Sequence, residues 1–255
     1  MIFETDYRLF YLTSHISCLI SETMEWKSDF IKNLTWSDTI INKEAKQKVA
    51  DKIAEKVKDS DVLGVGSGST SYLALIAIAK KVKAEKLNIK AITTSIELTM
   101  VCSSLGIETT TLFEHKPDWY FDGADEVDQN KSLIKGRGGA MFKEKLIMSS
   151  SPVTYILVDE SKLVTKLGTN FPVPVEVFPS ALLYVESALK KLGAETLTLR
   201  PAKGKDGPVI TENGNLVIDA KFLDIDTQME KKIKAITGVI ESGLFIGYNV
   251  EILTA

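Results

Sequence analysis

A chain of 255 residues, 44% hydrophobic and 25% charged, has ordinary globular composition and can form one large domain or a core domain with a smaller partner. Its net charge of −3 excludes a broad nucleic-acid footprint, which needs a surplus of Lys and Arg on one face, while leaving room for a local Lys cluster around a phosphate ester. Cys18 and Cys102 match no metal-ligand spacing and are too few for a disulfide framework, which predicts a reducing cytoplasm; His15 and His115 lie far apart without partners at catalytic spacing.

In chain order, Leu9 to Ile20 is an apolar run broken by Thr13, Ser14, His15 and Ser17, too short and polar to span a bilayer. Glu4 and Asp6 are the wrong flank for a signal peptide. Residues 1–41 therefore read as an N-terminal extension of unknown role, with Met24 an alternative start. From Asn42 the pattern is regular. Ala45, Val49, Ile53 and Val57 recur at helical spacing and predict an amphipathic helix over 42–58. A strand over 61–66 and an Ala-rich helix over 69–81 follow, then a strand over 89–93. Thr94 with Glu97 reads as a capping box opening a helix that ends near Gly106. Residues 107–112 and 119–121 read as further strands, the second stopping at Asp122. Strands alternating with helices predict βαβ units and a mostly parallel, covered sheet.

After Gly168 the texture changes. Pro172, Pro174 and Pro179 punctuate a short strand, a helix spans 180–192, and Asn213-Gly214-Asn215 marks a hairpin before Leu216. A helix over 227–236 completes a small α+β unit, and 246–253 reads as a return to the main sheet. The expected organisation is the extension 1–41, a catalytic domain of 42–167 plus about 238–255, and a small α+β domain of 168–237.

Three segments carry chemistry. Gly64-Val-Gly-Ser-Gly-Ser-Thr70 joins a strand to a helix, where glycines permit close backbone approach and the helix N-terminus offers N–H groups to an anion. A dinucleotide fingerprint would need Gly at 69 or 71, where Ser stands, and no Gly-Lys precedes Ser69 as a Walker loop requires; the loop suits a phosphate. Asp122-Gly-Ala-Asp-Glu126 ends a strand, where ligands of open α/β sheets sit, and its carboxylates can accept from sugar hydroxyls. Lys135-Gly-Arg-Gly-Gly-Ala140 precedes a helix on which Phe142, Leu146 and Ser149 share one face and Glu144 lies nearly opposite. Periodicity alone makes Glu144 a solvated residue; the Gly-rich turn and Lys135 make it a candidate for catalysis.

Together with Val158-Asp-Glu-Ser-Lys162, Phe171 to Val177 and Asp219, these motifs resemble the ribose-5-phosphate isomerases of the A type, from about residue 43 onward. The resemblance implies an α/β fold, a Rossmann-like mostly parallel sheet with a smaller ferredoxin-like α+β lid. It implies interconversion of ribose 5-phosphate and ribulose 5-phosphate in the pentose phosphate pathway, in homodimers or homotetramers, without metal or organic cofactor. Glu144 would be the base, Asp122 and Asp125 would bind hydroxyls and assist ring opening, Asp122 counting with Glu144 and Lys135 among the catalytic residues, with Gly123 and Ala124 between the two aspartates, and Lys135 with the backbone of Gly136, Arg137 and Gly138 would stabilise the enediolate. Ser67, Gly68, Ser69, Thr70, Lys162 and Lys46 would contact substrate, the phosphate falling to Ser69 and Thr70. Ser67 stands where the family commonly has Thr. Two rivals use related scaffolds: a sugar-phosphate sensor domain, which would want a helix-turn-helix, and an acyl-CoA transferase with a nucleophilic glutamate.

Overall fold

The computed structural model describes residues 28–32, 34, 36 and 39–255. The apolar run 9–20, His15, Cys18 and Met24 lie outside the described residues. The chain divides into two compact units, Met1–Asn33 and Leu34–Ala255. In the first, the described part is one helical turn, Asp29–Lys32. No described helix is long and apolar enough to cross a membrane.

The second unit runs α1 (Lys43–Glu55), β1 (Val62–Val65), α2 (Ser69–Glu85), β2 (Lys90–Thr93), α3 (Ile96–Leu105), β3 (Glu108–Thr109), β4 (Trp119–Asp122), β5 (Glu126–Val127), β6 (Leu133–Ile134), α4 (Met141–Ser150) and β7 (Thr154–Val158). It continues through β8 (Val173–Val177), α5 (Leu182–Lys191), β9 (Ala194–Leu199), β10 (Leu216–Phe222), α6 (Met229–Lys234), β11 (Val239–Ser242), β12 (Leu244–Phe245) and β13 (Val250–Thr254).

The main sheet has six parallel strands in the order β13-β7-β4-β1-β2-β3. Its central strands are apolar along their length because both faces are covered, as parallel sheets require. All four residues of β4 are buried. The predicted stripe is buried at Val49 and Ile53 of α1 and at Val57 just past its end, which comes at Glu55 and not at the expected 58, against Leu73, Ala74 and Ile78 among others in the same core. Each such aliphatic side chain contributes roughly 1.5–3 kcal/mol on burial. α2 runs past the expected residue 81 to Glu85, since Val82 still packs on the core, and ends where Lys86 turns left-handed. α3 is capped one residue later than expected. Thr94 donates its N–H to the Val65 carbonyl (3.0 Å) and stays with the strand, so the Ser95 hydroxyl accepts from Leu98 N instead (3.4 Å). The strand expected over 107–112 shortens to Glu108–Thr109 at the sheet edge, because the chain turns back at Thr111, whose carbonyl accepts from His115 N (3.0 Å).

A four-stranded antiparallel sheet, β11-β8-β10-β9, packs its Val173, Val175, Val177 and Ile218 against Val185 and Leu189 of α5 and Ile233 of α6. The fold is thus α/β, a mostly parallel sheet with a separate antiparallel one. The Asn213 hairpin forms, with Thr211 N bonded to Asn215 O (2.8 Å) and Ile210 bridged to Leu216. Pro174 is tolerated within β8 because β11 ends opposite Val175; its carbonyl accepts from Gly243 N (2.7 Å). β11 belongs to this sheet, so the antiparallel unit extends past residue 237, and the return to the main sheet comes with β13, paired to β7 from Val250 to Thr254. A small sheet, β12-β6-β5, joins the two larger ones.

One topological feature positions everything below. β1 has β2 on one side and β4 on the other, so the chain reverses direction across the sheet at β1, and ligands of such sheets bind beyond the carboxyl ends at that point.

Candidate active site

The loops after β1 and β4 meet at this switch point. Gly66 N donates to Phe121 O (2.8 Å), and a Cβ on Gly66 would lie 2.0 Å from Asp122 Cγ. Only glycine lets the two loops approach so closely. Gly68, at φ 100°, then turns the chain into α2 without a side-chain cap, which leaves the first-turn N–H groups of a 17-residue helix open toward an anion.

Asp122 is fully buried, and protein groups hold both of its oxygens. Oδ1 accepts from Gly123 N (2.7 Å) and Ser71 Oγ (3.4 Å); Oδ2 accepts from the Tyr120 hydroxyl and from Lys135 Nζ (2.6 Å). Burial raises its pKa to about 7; Lys135 opposes the rise and the Glu144 charge adds to it. Lys135 is carried on the strand end after Ile134 and is anchored through its N–H to Gly243 O (2.9 Å). Its ammonium group also donates to Gly123 O (2.6 Å) and stands 3.3 Å from Glu144 Oε2. Burial works against its charge, but the Asp122 and Glu144 carboxylates outweigh burial and hold its pKa above the usual lysine value. Burial, with the same carboxylates, pushes the Tyr120 phenol up as well, so it remains a donor.

Glu144 lies in the first turn of α4 and is 3% exposed. The expected orientation is reversed: Met141, Glu144, Lys145, Ile147 and Met148 are buried, while Leu146 and Ser149 are exposed. α4 lies between the sheets, and its inward polar groups are paired, Lys145 with Glu230 (2.7 Å) and Glu241 (2.9 Å). Glu144 Oε1 accepts from Ser67 Oγ (2.8 Å). Oε2 is buried with no hydrogen-bond donor aligned on it and has only the Lys135 charge alongside. A carboxylate oxygen left open in this way is available to take a proton.

Asp125 is half-buried at the mouth, and one oxygen accepts from Arg137 N (3.3 Å). Burial raises its pKa, Lys135 opposes, and Glu144 adds to the rise. At the far end of the groove Lys46 Nζ bonds Ser69 Oγ (3.0 Å). Its pKa is lowered by burial; Asp159 opposes this, while the cations of Lys162 and Arg137 act in the same direction as burial. Lys46, bonded to Ser69 at the N-terminus of α2, thus has the cations Lys162 and Arg137 near it, a place for a doubly charged anion.

Of the residues singled out in the sequence, Ser67, Asp122, Lys135 and Glu144 form one bonded cluster, and Ser69, Lys46, Lys162 and Arg137 gather at the cationic end. Gly123 is used internally, on Asp122 and Lys135, and Thr70 is nearly buried in the first turn of α2. Tyr120 and Ser71, which hold Asp122, were missed; an aromatic inside an apolar strand and a Ser inside an Ala-rich helix carry no sequence signal beyond core packing. A cavity of about 870 Å3, lined by Ile96, Phe113, Lys143 and Leu146 on the outer side of α4, contains none of these clustered residues. Converging charge identifies the site, and volume does not.

Comparison with known proteins places the chain in a family. The family model of ribose 5-phosphate isomerase A (phosphoriboisomerase A) matches residues 90–255. A ribose-5-phosphate isomerase A from Methanothermobacter thermautotrophicus is 42% identical over 204 residues, 79% of this chain and 89% of its own. One from Methanocaldococcus jannaschii is 44% identical over 207 residues, 80% of this chain and 91% of its own. The solved structure of the M. jannaschii protein aligns with a TM-score of 0.80 at 42% identity, covering 83% of this chain and 95% of that one. A D-ribose-5-phosphate isomerase solved in complex with phospho-erythronic acid aligns with a TM-score of 0.80 at 37% identity, over 84% and 95% of the two chains. The chain belongs to the ribose 5-phosphate isomerase A family.

Proposed function

We propose that this protein interconverts D-ribose 5-phosphate and D-ribulose 5-phosphate through an enediolate, with Glu144 moving the proton. Aldose–ketose isomerisation needs a proton removed from C2 of the open-chain sugar and stabilisation of the charge that appears on O1. Glu144 takes the C2 proton through Oε2 as the electrons pass to the carbonyl oxygen O1, then returns it to C1 as the O2 proton passes to O1, which leaves a ketone at C2 and a hydroxyl at C1. A positioned acid/base of this kind contributes roughly 10²–10⁴-fold. Lys135 and, in the 136–138 loop, the N–H of Gly138 are assigned to the developing oxyanion, an effect of about 3–4 kcal/mol for each donor.

The observation that carries this reading is the Glu144 carboxylate, oriented by Ser67 at 2.8 Å on one oxygen and left without a donor on the other, 3.3 Å from a buried ammonium. With both Asp122 oxygens held by protein, we assign Asp122 to fixing Lys135. Asp125, half-exposed with its pKa raised by burial, is assigned to the sugar hydroxyls and to proton transfer in ring opening, where a carboxyl titrating closer to neutrality works best. The phosphate is assigned to the α2 N-terminus with Ser69, Thr70, Lys46 and Lys162. We also assign the enzyme to the cytoplasm and to a homodimer or homotetramer; exposed Phe178, Leu183 and Tyr184 at α5 provide apolar surface for self-association, which sedimentation would measure.

The test is a coupled assay on ribose 5-phosphate with and without chelator, for wild type and Glu144→Gln. Full activity with chelator and a loss of about 10²–10⁴-fold in the folded variant are expected. Near wild-type turnover by Glu144→Gln would remove Glu144 as the base.

A further inference from the structure

We propose that Arg200 and Asp219, in the antiparallel sheet, are a positioning pair that fixes which way the oxyanion-binding peptide of the 136–139 loop faces. The inference rests on the assignment of that loop to the enediolate. Arg200 follows β9 and is fixed through its own backbone, its N–H on Val217 O (2.9 Å) and its carbonyl on Val209 N (2.8 Å). Asp219 in β10 receives the guanidinium bidentately, Nε at 2.8 Å and Nη2 on the other oxygen. That fork leaves Nη1 aimed away from the sheet, and its two hydrogens reach two successive carbonyls, Gly136 O and Arg137 O, both at 2.9 Å.

The geometry of a trans peptide gives this contact its consequence. Across a planar trans bond the N–H points opposite to the preceding carbonyl. With the Gly136 carbonyl on Arg200, the Arg137 N–H must face the other way, and it does, reaching Asp125 at 3.3 Å. With the Arg137 carbonyl also on Arg200, the Gly138 N–H faces the same side as Asp125, and among the described residues it has no acceptor. Gly139 N bonds Gly136 O (3.0 Å), so 136–139 is a β-turn with Arg137–Gly138 as its central peptide. Gly138 does not have a positive φ, yet a glycine at the third turn position readily adopts one in the alternative turn, where the central peptide is flipped. Flipped, the Arg137 carbonyl would point at the developing oxyanion in place of the Gly138 N–H. Arg200 holds the carbonyl and so selects the productive turn. Both partners are mostly buried, with side chains 15% and 19% exposed, which keeps the interaction from being screened away.

The experiment measures kcat and KM for ribose 5-phosphate and the inhibition constant of phospho-erythronic acid, whose carboxylate stands where enediolate charge develops. The proteins are wild type, Arg200→Ala, Arg200→Lys and Asp219→Asn, with melting temperatures beside them. Gly138→Pro, which lacks the N–H, reads the underlying loop assignment, with Gly138→Ala as its steric comparison. Removing one oxyanion donor costs roughly 10²–10³-fold in kcat, and a peptide free to flip spends only part of its time unproductive. Arg200→Ala is therefore expected to lose about 10- to 100-fold in kcat and a like factor in inhibitor affinity, with KM within about threefold. Asp219→Asn, which retains the guanidinium, should shift the same quantities by less, and it carries the test if Arg200→Ala does not fold. Loss of kcat in Gly138→Pro with none in the Arg200 and Asp219 variants would overturn the pair and leave the loop assignment standing. No loss in any of them would overturn both. A KM, kcat and melting temperature that all move together would also overturn the pair, since that is what loosened docking of the two sheets produces.

Discussion

Replacing Lys135 with Met tests the centre of the site, because the effect must change with pH in a direction the structure dictates. Among the described residues Lys135 is the one cation within 3.3 Å of both Asp122 (2.6 Å) and Glu144 (3.3 Å), and all three are almost fully buried. Met keeps the length and the packing against Phe245 and removes the charge. Stripping a partner from a buried pair costs about 3–5 kcal/mol when the remaining charge stays ionised. Asp122 can escape by binding a proton. In the wild type burial already raises its pKa to about 7 against the pull of Lys135, and without Lys135 it must rise further. A carboxyl whose folded pKa is raised contributes stability that is fully present below the unfolded value and is lost as pH rises through the folded value. The penalty of Lys135→Met is therefore small near pH 5, where Asp122 is protonated in both proteins, and grows above about pH 7, where only the variant keeps an acid under pressure to ionise. Urea unfolding at about pH 5 and about pH 8.5, followed by the fluorescence of buried Trp119, reads this difference. kcat should fall roughly 10²–10³-fold as the oxyanion donor is lost. A destabilisation equal at both pH values, or larger at the acid one, would refute the account of the Asp122–Lys135–Glu144 cluster.

Two further outcomes follow from close packing. Gly66→Ala puts a methyl 2.0 Å from Asp122 Cγ, so the β1 and β4 loops must part; activity should fall at least as far as in Lys135→Met, with restored activity impossible by raising substrate, as kcat against KM will record. Cys102 is fully buried, and burial pushes its thiol up to about 12, so peptide mapping after mild alkylation should find it unmodified until denaturant is added.

How much was legible beforehand differs from element to element. The βα alternation, the α1 stripe at Val49 and Ile53, and the Asn213 turn follow from local rules that act within a few residues, and each formed where the pattern indicated. The shifts at Ser95 and at β3 come from hydrogen bonds to residues elsewhere in the chain, such as Thr94 to Val65, which local patterns do not encode. Glu144 is the clearest case of both kinds. Its position after a glycine-rich turn, beside motifs in the right order, marked it out. Its periodicity pointed to solvent, because amphipathic patterns assume that charge faces water and cannot anticipate a helix carboxylate paired with a lysine from the end of a strand. The sequence by itself determined which residue types exist to do this chemistry and where loops must bend to let them meet. Only the tertiary structure decided that Asp122 faces inward to hold Lys135, that Asp125 faces the mouth, and that Arg200 reaches across from the second sheet. Those assignments depend on distances between segments remote in sequence, set by the packing of one sheet on another.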